Sequence, residues 1–350
     1  MGWLHHEHAQ SDQNLTMGPH SRTDARAAER TARWHEPHPY QPERRYVDFA
    51  INPWHYTTWG GLEGIVTGNL LWASESGGLN DPSEVVRAAD SLLRTWEASI
   101  DNLVPDAPRD EVDRWLRDMT ATVTEQRFFF VSACFDGDKL QHWKSYAGGR
   151  GYAIELDRDA EYRLLGPAPT LHRPGFTPYP WWRAVTYGDY DTGHSARGGS
   201  LFHGSDGIVE HLLDEFAAKS RGLRPDEIAF GEHLEAAYLS SVCFNKHSAY
   251  SEEEETRLAF IKPPFEGFVH HRDGGFSPSG RTAYLKVTAD QSDLRAYSVT
   301  EVQPLPIRSV RIGPRYGTEV SGEIATVTAL LRDNGYPDVS VDASSIPYRG

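Results

Sequence analysis

Trp54-His55-Tyr56-Thr57, followed by Leu62-Glu63-Gly64-Ile65-Val66-Thr67-Gly68-Asn69-Leu70-Leu71-Trp72, is the stretch whose reading decides the fold. The first four residues are aromatic and β-favouring, and the apolar residues Leu62, Ile65 and Val66 then recur at helical spacing. The junction predicts a short strand that delivers a histidine and a small hydroxyl residue to the entry of a helix. Such a corner presents an imidazole and hydroxyls at a strand end, which makes His55, Tyr56 and Thr57 candidate binding residues. The competing reading is a satisfied histidine at a strand end before a surface helix.

Working outward, Asp81-Pro82-Ser83-Glu84 supplies an N-cap aspartate, proline at the first helical position and glutamate at the third. The apolar residues Val85, Ala88, Ala89, Leu92, Leu93 and Trp96 continue at helical spacing. A second helix is predicted over 110–126. Phe128 to Phe135 is continuously apolar and reads as a central strand. Further strands are predicted at 152–156, 183–187, 282–288, 307–312 and 339–341, with a helix over 321–334 ended by Gly335. Residues 166–205, rich in Pro and Gly, read as a long loop or lid, and 206–240 as helical. Strands and helices alternate without a βαβ rhythm, so the expected class is α+β with a mainly antiparallel β core and peripheral helices. Residues 1–45 are polar and broken by Pro37, Pro39 and Pro42, and read as a mobile tail. One domain is expected over 46–350, with helical insertions near 84–126 and 206–240.

Hydrophobic residues make up 39% and charged residues 24% of the 350, ordinary values for a globular protein. A net charge of -15 disfavours generic attraction to nucleic acid, although a local basic groove stays open. Cys134 and Cys243 lie in apolar runs and read as buried free thiols, with neither a disulfide framework nor a metal site expected. No run approaches the roughly 20 apolar residues that span a bilayer, so no membrane partner and a cytoplasmic location are expected.

Tyr250-Ser251-Glu252-Glu253-Glu254-Glu255-Thr256-Arg257-Leu258 precedes the apolar Ala259-Phe260-Ile261. A run of four carboxylates is often a solvated loop. Read instead as a strand from Glu253 to Ile261, its period of two places Glu253, Glu255 and Arg257 on one face, with Thr256, Leu258 and Phe260 on the other. Two glutamates and an arginine then converge. Trp143 and Tyr146, three apart on a helical turn, offer an aromatic surface for a flat ring or pack at a corner. Gly148-Gly149-Arg150-Gly151 reads as a plain connection.

Taken in order, these motifs resemble the bacterial domain-of-unknown-function 2971 family over about residues 50–350. The resemblance is carried by His55-Tyr56-Thr57, Asn80-Asp81-Pro82-x-Glu84, Ser132-x-Cys134-Phe135, Trp143-x-x-Tyr146, Gly151-x-x-Ile154, Val185-x-Tyr187 and Lys246 followed by Glu253-x-Glu255-x-Arg257. The ending, Ile312-Gly313-Pro314, Gly335-Tyr336 and Ser345-x-Pro347-Tyr348-Arg349, completes it. Tyr250 stands where tryptophan is common in that family, and residues 159–240 hold a long insertion-like region. The histidine strand, the aromatic segment and the Glu-x-Glu strand are also similar in order to those of ADP-ribosyltransferases. That second resemblance implies an ADP-ribosyltransferase-like fold and an enzyme that cleaves the nicotinamide-ribose bond of NAD, passing ADP-ribose to an acceptor that is a protein, nucleic acid or small molecule, in a toxin, defence or tailoring role. It implies catalytic roles for Glu255, Glu253 and Tyr146, with Glu255 stabilising the oxocarbenium-like ribose. It further implies NAD-binding roles for His55, Tyr56, Thr57, Asn80, Trp143 and Arg257. The alternatives are an NAD glycohydrolase, an RNA 2′-phosphotransferase, or a nucleotide-binding or interaction module without catalysis.

Overall fold

The computed structural model describes residues 51–103, 109–167, 177–188, 232–261, 266–274, 280–290, 298–314 and 320–347. The tail at 1–45 and all of 189–231, where a loop and helices are expected, lie outside the described residues. Arg45–Gly350 forms one compact unit. Its class is α+β, with a mainly antiparallel open sheet and few helices.

The strands are β1 (Trp54–Thr57), β2 (Leu71–Glu75), β3 (Phe128–Cys134), β4 (Tyr152–Leu156), β5 (Glu161–Leu165), β6 (Thr177–Ala184), β7 (Thr186–Tyr187), β8 (Asn245–Lys246), β9 (Glu255–Ile261), β10 (Val269–Asp273), β11 (Arg281–Asp290), β12 (Ser298–Val299), β13 (Ile307–Ile312) and β14 (Ser340–Ala343). Among the described residues twelve of them join one sheet, while β7 and β8 pair in parallel beside it. The helices are α1 (Trp59–Gly68), α2 (Glu84–Leu103), α3 (Arg109–Val123), α4 (Leu140–Tyr146), α5 (Glu232–Cys243) and α6 (Val320–Asp333).

β3 is the spine, as its apolar run, interrupted only at Ser132, predicts. It pairs along its whole length with β9, from Phe128 opposite Ile261 to Cys134 opposite Glu255. Its other edge is shared, by β2 at Phe129 and Phe130 and by β1 at Cys134. The sheet therefore forks there, one branch leading through β2 to β11 and the other through β1 and β4 to β13. Alternation gives β3 and β9 two buried faces. Phe129, Val131, Leu258 and Phe260 pack with Leu62 and Val66 of α1 and Val327 and Leu331 of α6. Phe128, Phe130, Ala259 and Ile261 pack on the opposite face with Val85 and Leu92 of α2, Leu116 of α3 and Val242 of α5.

Several boundaries differ from the sequence reading. The strand expected at 183–187 divides at Val185: Ala184 belongs to the large sheet through β9, and Thr186 begins the small one beside Asn245. Glu253 is not on a strand. It closes a 3-10 turn, Ser248–Glu253, and Glu254 turns the corner into β9 in the left-handed region (φ 45°). At the end of α4 the chain reverses through Gly148 and Gly149, at φ 58° and 71°, values that glycine adopts without the Cβ penalty. The Gly149 N–H donates to the Trp143 carbonyl at 2.8 Å and closes the helix.

Candidate functional site

β9 opens on Glu255 and Arg257, which share the face of Phe130, Ala259 and Ile261. Neither is free to meet solvent: Arg257 is 1% and Glu255 6% exposed. The guanidinium spans two carboxylates. Its Nε donates to Glu255 Oε1 at 2.5 Å and Nη2 to Oε2 at 2.9 Å, while Nη1 and Nη2 donate to Glu84 at 2.6 and 3.1 Å. Nη1 also donates to the Cys243 carbonyl at 3.2 Å, which ties α5 to the cluster. The Phe130 ring lies 4.8 Å from the guanidinium carbon.

Glu84 holds the first position of α2. Local pattern assigns it to a capping box, but its carboxylate is buried against an arginine 173 residues away, and Asp81 does the local work by accepting from the Ser83 N–H at 3.0 Å. The second cation is Lys246 on β8. Its ammonium donates to Glu253 at 2.5 Å and Glu255 at 3.0 Å, and lies 3.9 Å from Glu84. Glu253 and Glu255 thus converge, though not as alternate residues of one strand: the left-handed corner at Glu254 brings two different elements to the same lysine.

Three carboxylates, Glu84, Glu253 and Glu255, surround the two cations Arg257 and Lys246. Burial opposes ionisation of Glu255, yet Arg257 and then Lys246, aided by hydrogen bonds from Arg257 and Ser132, hold its carboxyl at about 2. Burial is the largest influence on Glu84 and lifts its carboxyl above the ordinary range against the pull of Arg257. Burial also opposes charge on Lys246, but the surrounding glutamates, Glu255 first, prevail and raise its pKa. Near neutral pH, Glu255 is therefore a fixed anion and Lys246 a fixed cation, so neither transfers protons.

The outermost carboxylate is Glu253, 15% exposed. Tyr146, 41% exposed, donates its hydroxyl to it at 2.7 Å, and Asn80 Nδ2 reaches that hydroxyl at 3.5 Å. Burial and Glu253 push the Tyr146 phenol upward, so it stays protonated and keeps donating. The Tyr187 hydroxyl accepts from the Glu255 N–H at 2.7 Å and fixes the corner from behind.

Of the residues singled out in the sequence, Asn80, Tyr146, Glu253, Glu255 and Arg257 meet. Tyr56 and Trp143 are core residues beside them, with ring centroids 4.6 Å apart. The Tyr56 hydroxyl is already used, donating to the Asp136 carbonyl and accepting from the Lys139 N–H, both at 2.9 Å. Trp143 Nε1 donates to Asp138 at 3.0 Å. His55 and Thr57 alternate to the other side of β1, opposite Ile154 and Tyr152. His55 sits at the fork, where its Nδ1 lies 2.9 Å from the Ser132 carbonyl, and the Ser132 side chain bonds Glu255 on the far side. A carbonyl only accepts, so Nδ1 carries the proton. Burial lowers the His55 pKa and favours the neutral ring, with Nε2 as an acceptor.

Glu84, Lys246, Tyr187 and His142 join the site although pattern reading assigns them no role in it. Lys246 carried a signal, since a lysine two residues beyond the apolar Val242-Cys243-Phe244 is set for burial and needs anions. His142 carried none. It is 4% exposed, with its ring 5.6 Å from Tyr146 and 5.1 Å from Tyr56, and its Nδ1 has no hydrogen-bond partner among the described residues. No set of three or more His, Cys, Asp or Glu side chains among the described residues is placed to hold a metal ion. No helix among them is long and apolar enough to cross a membrane. Neither a scan of protein-family models nor searches of curated proteins and of solved structures match this chain.

Proposed function

We propose that this cluster is the catalytic centre of an NAD-consuming ADP-ribosyltransferase, built on an ADP-ribosyltransferase-like fold and belonging to the domain-of-unknown-function 2971 family. The observation that carries the reading is the outermost carboxylate, Glu253, fixed by Lys246 and by the aromatic Tyr146 at the edge of the buried cluster. Breaking the nicotinamide-ribose bond places positive charge on the ribose, and a preorganised carboxylate in a poorly solvated site stabilises that charge as it develops. Glu253 takes this role rather than Glu255, because it is the more exposed of the two and is bound by Lys246 and Tyr146 rather than clamped by Arg257. Glu255, Glu84 and Arg257 position Lys246, and Lys246 and Tyr146 orient Glu253.

Asn80 and Tyr146 contact the nicotinamide-ribose end; His55, on the other side of β1, is a support for Ser132 rather than a contact of NAD. Transfer of a phosphate is the weaker alternative, because Arg257 and Lys246 are both consumed by carboxylates. The test is nicotinamide release from NAD by purified protein, with and without cell lysate as a source of acceptor. Release that requires lysate and is lost in Glu253→Gln supports transfer; release without lysate indicates a glycohydrolase. Absence of release under both conditions, with no NAD binding by calorimetry, refutes the proposal.

A further inference from the structure

On the β2 branch of the fork the sheet face exposes Trp72 and Arg272, while Thr282, Tyr284 and Thr288 of the same face are buried. Residues directly opposite each other share a face, so Trp72 lies beside Lys286, Ser74 beside Tyr284, and Tyr284 beside His270, with Arg272 next along β10. Trp72 is 46% exposed and stacks on Tyr284, with centroids 4.5 Å apart and planes at 29°. His270 continues the stack 5.5 Å from Tyr284, and the Arg272 guanidinium carbon stands 5.5 Å from the Trp72 ring centroid.

Charge on this face is one-sided. Along the three strands the same face carries Trp72 and Ser74, His270 and Arg272, and Thr282, Tyr284, Lys286 and Thr288. The first carboxylate is Asp290, already paired with Arg163 at 3.0 Å. Lys286 lies close enough to depress the His270 pKa, after the effect of burial. A cationic and aromatic stripe on a protein of net charge -15 is a local reversal of sign that solubility does not require.

We propose that this face is a docking platform for single-stranded nucleic acid, with a base stacked on Trp72 and the flanking phosphates on Arg272 and Lys286. Aromatic side chains at a sheet surface accept any base by its π-face, while Arg and Lys follow the backbone. A duplex hides its base faces, and an acidic peptide does not carry a flat ring beside every charge as a nucleotide does, so the combination favours an unpaired strand. The inference is independent of the chemistry at Glu253.

The experiment is fluorescence anisotropy of labelled DNA and RNA single strands of about 12 nucleotides, within the site sizes of such platforms. Protein is titrated over a range of salt concentrations, with the matching duplex as comparison. The single strands are expected to bind and the duplex to bind more weakly. Trp72→Ala weakens binding roughly 5- to 100-fold, whereas Trp72→Phe retains most of the affinity. Arg272→Ala with Lys286→Ala reduces the slope of log affinity against log salt by about 1.4, two phosphates at ~0.7 each. Trp72 is half-exposed, so Trp72→Ala is expected to keep the parent thermal melting profile. No anisotropy change at any salt, equal affinity of Trp72→Ala and the parent, or a preference for duplex overturns the proposal.

Discussion

Replacing Glu255 with glutamine removes the carboxylate that holds both buried cations, and the cost follows from its pKa. The folded value is about 2 against an ordinary 4.5, a difference of about 2.5 units. At ~1.36 kcal/mol per unit this is on the order of 3 kcal/mol. The folded pKa lies below the unfolded one, so the contribution is complete above pH 4.5 and is lost as pH falls toward 2. Glu255→Gln is therefore expected to be less stable than the parent by about 3 kcal/mol at pH 7, with the gap closing steadily below pH 4.5. Glu84 has the opposite sign. Its folded carboxyl is raised by burial, so the stability of Glu84→Gln relative to the parent improves as pH rises through the carboxylate range. Urea denaturation followed by tryptophan fluorescence at pH 7 and at pH 3.5 measures both. Equal destabilisation by Glu255→Gln at the two pH values would show that Arg257 and Lys246 do not hold the carboxylate as described.

Glu253→Gln, nearer the surface, is expected to lower nicotinamide release by about 10² to 10³ while NAD still binds; a steady-state assay beside calorimetry separates the two, and equal losses in Glu252→Gln would sink the assignment. Tyr146→Phe removes a hydrogen bond to a charged acceptor and is expected to reduce turnover roughly tenfold or more, with the melting temperature unchanged. His55→Ala is expected to lower stability by about 1 to 3 kcal/mol through the lost bond to Ser132 while NAD affinity is unchanged; weakened NAD binding at unchanged stability would place His55 in the site. Gly137→Ala would place its Cβ 2.2 Å from the Trp54 ring, which is 8% exposed and has little room to yield, so a loss of about 1 to 3 kcal/mol is expected in a thermal melt.

The parts of the fold legible in the sequence are those specified by neighbours along the chain. β3 announces itself because seven consecutive residues suit a strand buried on both faces, and α2 because Asp81 and Pro82 precede a run of helical period. β5, β10 and β12 are short or mixed in polarity and carried no comparable signal. In the site, Glu255 and Arg257 follow from strand alternation, but the position of Glu253 depends on Glu254 entering the left-handed region, which a non-glycine residue does without a sequence mark. Glu84 misled for the same reason: its local context satisfies a capping rule, and the partner that claims it lies far along the chain.

The ladder between β3 and β9 joins segments more than a hundred residues apart, and Glu255 enters the cluster only at its last rung, opposite Cys134. Closing so long a loop costs entropy before any contact repays it, and non-local pairings of this kind form slowly. A ribosome releasing this chain has made Asn80, Glu84 and Tyr146 long before Lys246, Glu253 and Arg257 emerge. The nascent protein therefore passes much of its synthesis with Glu84 lacking Arg257, and the cluster can assemble only after the second half of the chain has come home to the first.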